Sequence, residues 1–219
     1  MNLRALRTLL FLAIGSSAAL PAHSAAATAD GLVSVRSSQL DQLYLAPGTN
    51  LSAYRKVMID PVSVAFHPHW LKHSYNRDVE VVQPVREDEI NRIISDAATS
   101  MHAGLVEAFS ARGYEIVTGP GPGVLRLSGA VSDLYVNAPT RSTPYRTKSY
   151  TREAGDALFL LEARDSVTGA VLGRVAHHGR AQQISRLARA DDVSNLFWLE
   201  TVLRRWAVNC ANEFQAARQ

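Results

Sequence analysis

Between Arg86 and Arg112 the apolar residues Ile90, Ile93, Ile94, Ala97, Met101, Leu105, Ala108 and Phe109 recur at steps that line one face of an α-helix. A helix with a single apolar stripe is stable only when something covers that stripe. Glu87, Asp88 and Glu89 crowd the first turn, where negative charge complements the helix dipole. Gly113 follows Arg112 as a C-terminal cap, since glycine takes positive φ at little cost. A second stripe, Leu196, Leu199, Leu203, Trp206, Cys210 and Phe214, runs within Asp191 to Ala217, with Asp191 or Asp192 as its cap.

Elsewhere the period is two. Lys56 to Phe66 (KVMIDPVSVAF) reads as a strand, and Pro61 inside it demands an edge position or a bulge. Tyr114 to Thr118 is a short strand, and Gly119 to Gly123 (GPGPG) is a turn. In Val124 to Val136, Leu125, Leu127, Val131 and Tyr135 alternate with Arg126, Ser128 and Ser132. A polar loop, Asn137 to Gly155, precedes a hairpin that turns over Asp165 to Gly169. Leu158 to Leu161 is apolar on both faces, which places it on a central strand. Residues Asp30 to Asn50 form an irregular arm with a Pro47-Gly48 turn. The order strand, helix, strands, helix predicts an α/β (α+β) two-layer sandwich with a mostly antiparallel, meander-like sheet and two long helices on one face.

The first 29 residues stand outside this domain. Arg4 and Arg7 precede an apolar run, Leu9 to Ile14, and then small residues, Ala22-His23-Ser24 through Ala27. This predicts a cleaved signal peptide over 1–29 and a single domain over 30–219, exported to the periplasm or secreted. The apolar run falls short of the roughly twenty residues a bilayer requires, and the mature chain has no candidate span. Arg4 and Arg7 are two of the 23 Lys and Arg, leaving 21 against 20 acidic residues, so no general electrostatic case for nucleic acid survives. The one cysteine, Cys210, lies far from the leader, so lipidation at a mature N-terminal cysteine is not expected; its place on the last stripe predicts a buried side chain.

Tyr44 to Trp70 carries Pro47-Gly48, Tyr54, Asp60-Pro61-Val62, Pro68 and Trp70 in order, and Leu160 to Val175 carries an Asp-Ser and Thr-Gly turn between two strands. These blocks resemble the bacterial envelope domain-of-unknown-function family 3313, from about Leu40 onward. The resemblance implies secretion and an α/β two-layer fold. It supplies no catalytic residues. Many members look like lipoproteins, and the missing leader cysteine departs from that pattern.

Several clusters invite chemistry. His67, His69 and His73 are the candidate metal ligands, since zinc or copper takes converging imidazoles. Pro68 interrupts them, and the competing reading is a loop whose Trp70 packs back on the core. His177 and His178 point to opposite faces of a strand and cannot ligate one ion together. Asp60, Asp133, Glu162 and Asp165 could serve as acid and base, but nothing in the sequence places any two together. The G-x-S-x-G, H-E-x-x-H and P-loop patterns are absent. No cofactor is implied. In the polar loop, Arg141, Arg146, Lys148 and Arg152 interleave with Tyr145 and Tyr150. Guanidinium and phenol groups together suit phosphate, carboxylate or glycan, so these six residues are the candidate binding surface. The reading that follows is a non-enzymatic binding or adaptor protein of the envelope. Its partner would be an envelope protein or an anionic polymer or lipid headgroup. The alternatives are an envelope-polymer hydrolase and a periplasmic metal-binding protein.

Overall fold

A computed structural model describes residues 30–70, 87–136, 150–151, 153–182, 188–189 and 192–218. The leader, His73 and the cations Arg141, Arg146, Lys148 and Arg152 lie outside the described residues, as does Tyr145.

In chain order the elements are β1 (Val33–Val35), β2 (Gln42–Leu45), a 3-10 turn (Leu51–Ala53), β3 (Lys56–Ile59), β4 (Ser63–Phe66), α1 (Glu87–Ser110), β5 (Glu115–Ile116), β6 (Val124–Val136), β7 (Tyr150–Thr151), β8 (Glu153–Asp165), β9 (Val171–Gln182), β10 (Ala188–Arg189) and α2 (Asp192–Ala216). Eight strands form one sheet in the order β1-β2-β9-β8-β6-β3-β5, with β4 also beside β6, while β7 and β10 form a separate ribbon. The two helices cover one face, which is the α+β sandwich expected from the alternation of periods.

The hairpins β6-β8 and β8-β9 are antiparallel, as a meander requires, and β8 is central. The first strands depart from a meander: β3 and β4 both run parallel to β6, and β5 runs parallel to β3. The reason is α1. A helix between two strands of one sheet returns the chain to its starting end, so strands before and after it share a direction. Pro61 sits between β3 and β4, where the predicted continuous strand is broken in two.

On the covered face Leu125, Leu127, Val131, Phe159, Leu161, Ala163 and Val175 are essentially inaccessible. Met101, Leu105 and Phe109 of α1 and Leu203, Trp206, Cys210 and Phe214 of α2 meet them. Ile94 is partly buried against the same core. Helix α1 ends as its sequence predicts: Gly113 has φ +79°, and the Tyr114 N–H donates to Phe109 O at 3.2 Å.

The helices lie side by side in the same sense, for Gly104 faces Ala207 while Arg112 Nε donates to Asn212 Oδ1 at 2.9 Å. A Cβ on Gly104 would sit 3.5 Å from the Ala207 methyl, so small residues set this close approach. Behind α2, Gly179 leaves room for the Phe159 ring: a Cβ there would fall 1.9 Å from Phe159 Cε2.

Candidate functional site

Strand β4 ends at Phe66, and the chain then enters a helical turn at Pro68. Proline suits the first helical position because its missing N–H is an orphan there in any case. The residue before it, His67, acts as the cap: its Nδ1 accepts the His69 N–H at 3.2 Å. Its carbonyl accepts the Trp70 N–H at 2.9 Å. Trp70 is 5% exposed and stacks on Phe66, ring centroids 4.2 Å apart. The histidine-rich motif therefore begins a helix and anchors it on the core. The His67 and His69 rings stack at 5.3 Å instead of converging on a point, and His67 Nδ1 is already engaged as an acceptor.

The face of the sheet away from α1 and α2 carries the carboxylates. Asp60 closes β3 and turns onto β6, where its Oδ2 accepts Arg126 Nε at 2.8 Å and Ser128 Oγ at 2.6 Å. Burial would raise this carboxyl, but the bonds from Arg126 and Ser128 and the guanidinium charge outweigh it and hold Asp60 below the ordinary carboxylate range. Ser128, Glu162, Arg174 and Tyr44 are successive register partners across β6, β8, β9 and β2, so they share a row. Glu162 receives Arg164 at 2.6 Å from its own strand and Arg174 at 2.6 Å from β9. Arg174 also reaches Asp30 at 2.9 Å. Burial again pushes Glu162 up, and its two arginines bring it down further than that. The face thus holds two neighbouring sets of ion pairs, in which Asp60 and Glu162 are kept charged.

Asp165 does more than form its turn. Oδ1 accepts the Val167 and Thr168 N–H groups at 3.0 and 2.7 Å, and Oδ2 accepts the Tyr54 hydroxyl at 2.9 Å. The Thr168 N–H, the Tyr54 hydroxyl and the Thr168 hydroxyl lower its carboxyl. Burial, with Asp165 as bond partner and negative neighbour, pushes the Tyr54 hydroxyl up to about 12. Ser166 Oγ also donates to Gly121 O at 3.0 Å, so the hairpin tip is riveted to both the GPGPG turn and the Tyr54 segment. Asp133 stands apart, exposed, at φ +53° where β6 changes register against β8.

His177 and His178 do face opposite ways. Asp41 Oδ2 accepts the His178 backbone N–H at 2.7 Å and lies 3.2 Å from His177 Nδ1, without the alignment of a hydrogen bond. The His177 ring lies over Phe159 at 6.5 Å. Asp41 thereby clamps the start of β2 to β9. Cys210 is fully buried among apolar side chains, and burial, followed by the charge of Glu213, pushes its thiol far above the usual range. Among the described residues, no group of three or more His, Cys, Asp or Glu could hold a metal ion.

Of the candidate binding residues, Tyr150 alone is described. Its backbone is in β7, antiparallel to β10, with Tyr150 opposite Arg189 and Thr151 opposite Ala188. Val136 pairs with Gly155, and Glu153 with Gln182, so the connections after β6 and after β9 leave from one end of the sheet.

The family model described as "Protein of unknown function (DUF3313)" matches residues 23–210. The chain belongs to this family. No curated protein matches it. Among solved structures, the chain is similar to a PelC dodecamer from Paraburkholderia phytofirmans at 15% identity, covering 76% of this chain and 96% of that one, with a TM-score of 0.32. It is also similar to a putative neuraminyllactose-binding hemagglutinin homolog from Helicobacter pylori at 12% identity, covering 82% and 87%, with a TM-score of 0.38. No helix among the described residues is long and apolar enough to cross a membrane.

Proposed function

We propose that this family member is an exported, non-enzymatic binding protein of the bacterial envelope, a single domain over 30–219 that engages its partner through the loop between β6 and β8. The observation that carries this reading is the state of the carboxylates. Asp60 and Glu162, two of the acids the sequence offers for acid–base chemistry, are each locked to arginine and held below the ordinary range. A general acid needs the opposite displacement, upward toward neutrality. Among the described residues the covered face offers no alternative, because its side chains are consumed in packing against α1 and α2. Recognition then falls to connecting segments, which carry function in compact domains. The loop residues Arg141, Tyr145, Arg146, Lys148, Tyr150 and Arg152 supply cations and phenols, against one acid, Glu153, between Asn137 and Gly155.

The test is in-cell crosslinking followed by mass spectrometry, comparing the natural chain with an Arg146→Glu, Lys148→Glu variant. The reading expects the crosslinked partner to be lost from the variant. An unchanged set of crosslinked species, with the variant exported and folded, contradicts the assignment of this surface.

A further inference from the structure

We infer that the outer edge of β9, from His178 to Arg180, takes an extended segment of a partner protein as an added strand, with an acidic side chain opposite Arg180. The site stands apart from the loop between β6 and β8, and its occupant is a second partner. Strand β8 accompanies β9 from Val171 to Gln182, whereas on the other side β2 accompanies it only from Gly173 to Ala176. The chain that would extend β2 further leaves the sheet instead. Ser37 Oγ accepts the Gln39 and Leu40 N–H groups at 3.1 and 2.9 Å, and the Gln39 carbonyl accepts Asn209 Nδ2 of α2 at 3.3 Å. Beyond Ala176 the outer edge of β9 therefore has no strand beside it among the described residues.

One bond fixes which backbone groups are left there. Asp41 Oδ2 accepts the His178 N–H at 2.7 Å, so residue 178 turns its backbone outward, to the side of β2. Along a strand the two sides alternate from residue to residue. The His178 carbonyl and both backbone groups of Arg180 therefore also point outward, while Gly179 points to its partner Ala157 on β8. Asp41 caps the His178 N–H, and no hydrogen bond reaches the other three groups among the described residues. Such a row of open donors and acceptors is a template for an incoming extended backbone.

Charge selects the occupant. His178 and Arg180 are exposed and lie in step with Arg174, on the face away from the helices. Arg180 makes no ion pair among the described residues, not even with Asp156, its register partner on β8. An acid directly opposite it on an added strand would be stabilising. A second copy pairing antiparallel about a twofold axis at Arg180 would set two guanidinium groups opposite each other, which is destabilising. On the helix side, Gly179 presents no side chain and the Phe159 ring lies across it. Apolar residues on either side of the acid suit that face, so the partner segment alternates apolar, acidic, apolar.

The experiment titrates the purified full chain into labelled short valine peptides carrying one central glutamate or one central lysine, read by fluorescence anisotropy. The glutamate peptide should bind and the lysine peptide should not. Methylating the peptide's backbone nitrogens one at a time should weaken binding about tenfold at every second residue and leave the residues between unaffected. Arg180→Glu should reverse the preference to the lysine peptide, and Arg180→Lys should bind as the natural chain does, with both melting normally. In the free chain the Arg180 amide should exchange fast and the Gly179 amide slowly, and the glutamate peptide should slow the former. No binding of either peptide, or binding that tolerates methylation at every position, overturns the added strand. A glutamate preference kept by Arg180→Glu overturns the role of Arg180. An Arg180 amide already protected in the free chain overturns the open edge, since the chain then covers it with its own residues. Loss of peptide binding in the Arg146→Glu, Lys148→Glu variant, with Arg180→Glu unaffected, overturns the inference by placing the peptide on the loop. Natural peptide binding by that loop variant supports the edge site, whatever its crosslinking shows for the loop reading.

Discussion

Substituting Gly179 by alanine inserts one methyl group where the structure has no room. The new carbon would lie 1.9 Å from Phe159 Cε2, 2.6 Å from Cζ and 3.0 Å from Cδ2. The ring would have to withdraw well over an ångström. It has nowhere to go, because Phe159 is wholly buried and meets Trp206 at a centroid distance of 5.2 Å on the α2 side. Overpacking of this kind costs about 1–3 kcal/mol, and the rigid neighbours place Gly179→Ala near the top, at about 2–3 kcal/mol. For a domain of this size that lowers the melting temperature by roughly 5–10 °C. Urea denaturation followed by tryptophan fluorescence measures it, with an unchanged m-value confirming that the native state carries the effect. The cause is checked by repeating the substitution beside Phe159→Leu, which removes the obstructing ring. The double variant should be more stable than the sum of the two single losses by about 1 kcal/mol or more. A Gly179→Ala cost below about 0.5 kcal/mol, the range of an ordinary surface change, refutes the close ring-on-glycine contact.

The depressed carboxylates set the acid limb of stability. Asp60, Glu162 and Asp165 each have a folded-state pKa below the ordinary value, so their stabilisation is complete above that value and lost as pH falls through the folded one. Urea midpoints should therefore be flat from about pH 7 to 5 and fall below about pH 4, and Asp60→Asn should shallow that fall. A midpoint that rises on acidification would contradict these pairings. Tyr54→Phe deletes the hydroxyl donated to Asp165 and should cost about 1 kcal/mol in the same assay, a part-exposed bond to a charged acceptor; no loss would mean the rivet contributes nothing. Cys210 should resist an aromatic disulfide reagent in the native protein and react at once in urea, whereas rapid native labelling would contradict its burial.

The helices were legible because α1 and α2 each present one face to one sheet, and a period of three to four survives any detail of topology. Leu158 to Leu161 announced a central strand because both of its faces are apolar. The polar row was illegible for a geometric reason. Arg126 and Asp60 are 66 residues apart, and they meet only because α1 returns the chain so that β3 and β6 run in parallel. Nothing local encodes that return. The Tyr54 bond to Asp165 spans 111 residues, although both lie in blocks that carry the family resemblance. The pairing of Tyr150 with Arg189 had no signal at all, since two-residue strands are too short to show a period. Around the histidines, the reading in which Trp70 packs back on the core was legible, because a tryptophan just beyond a strand has an apolar ring to bury, whereas the capping role of His67 beside Pro68 depends on local geometry that composition does not show.

Amide hydrogen exchange, recorded with and without the partner captured by in-cell crosslinking, bears most directly on where this protein meets its partner. The account predicts new protection confined to residues 137–155, with the amides around Asp60, Glu162 and Arg174 unchanged. Protection arising instead across that polar row, with residues 137–155 exchanging as in the free protein, would contradict it.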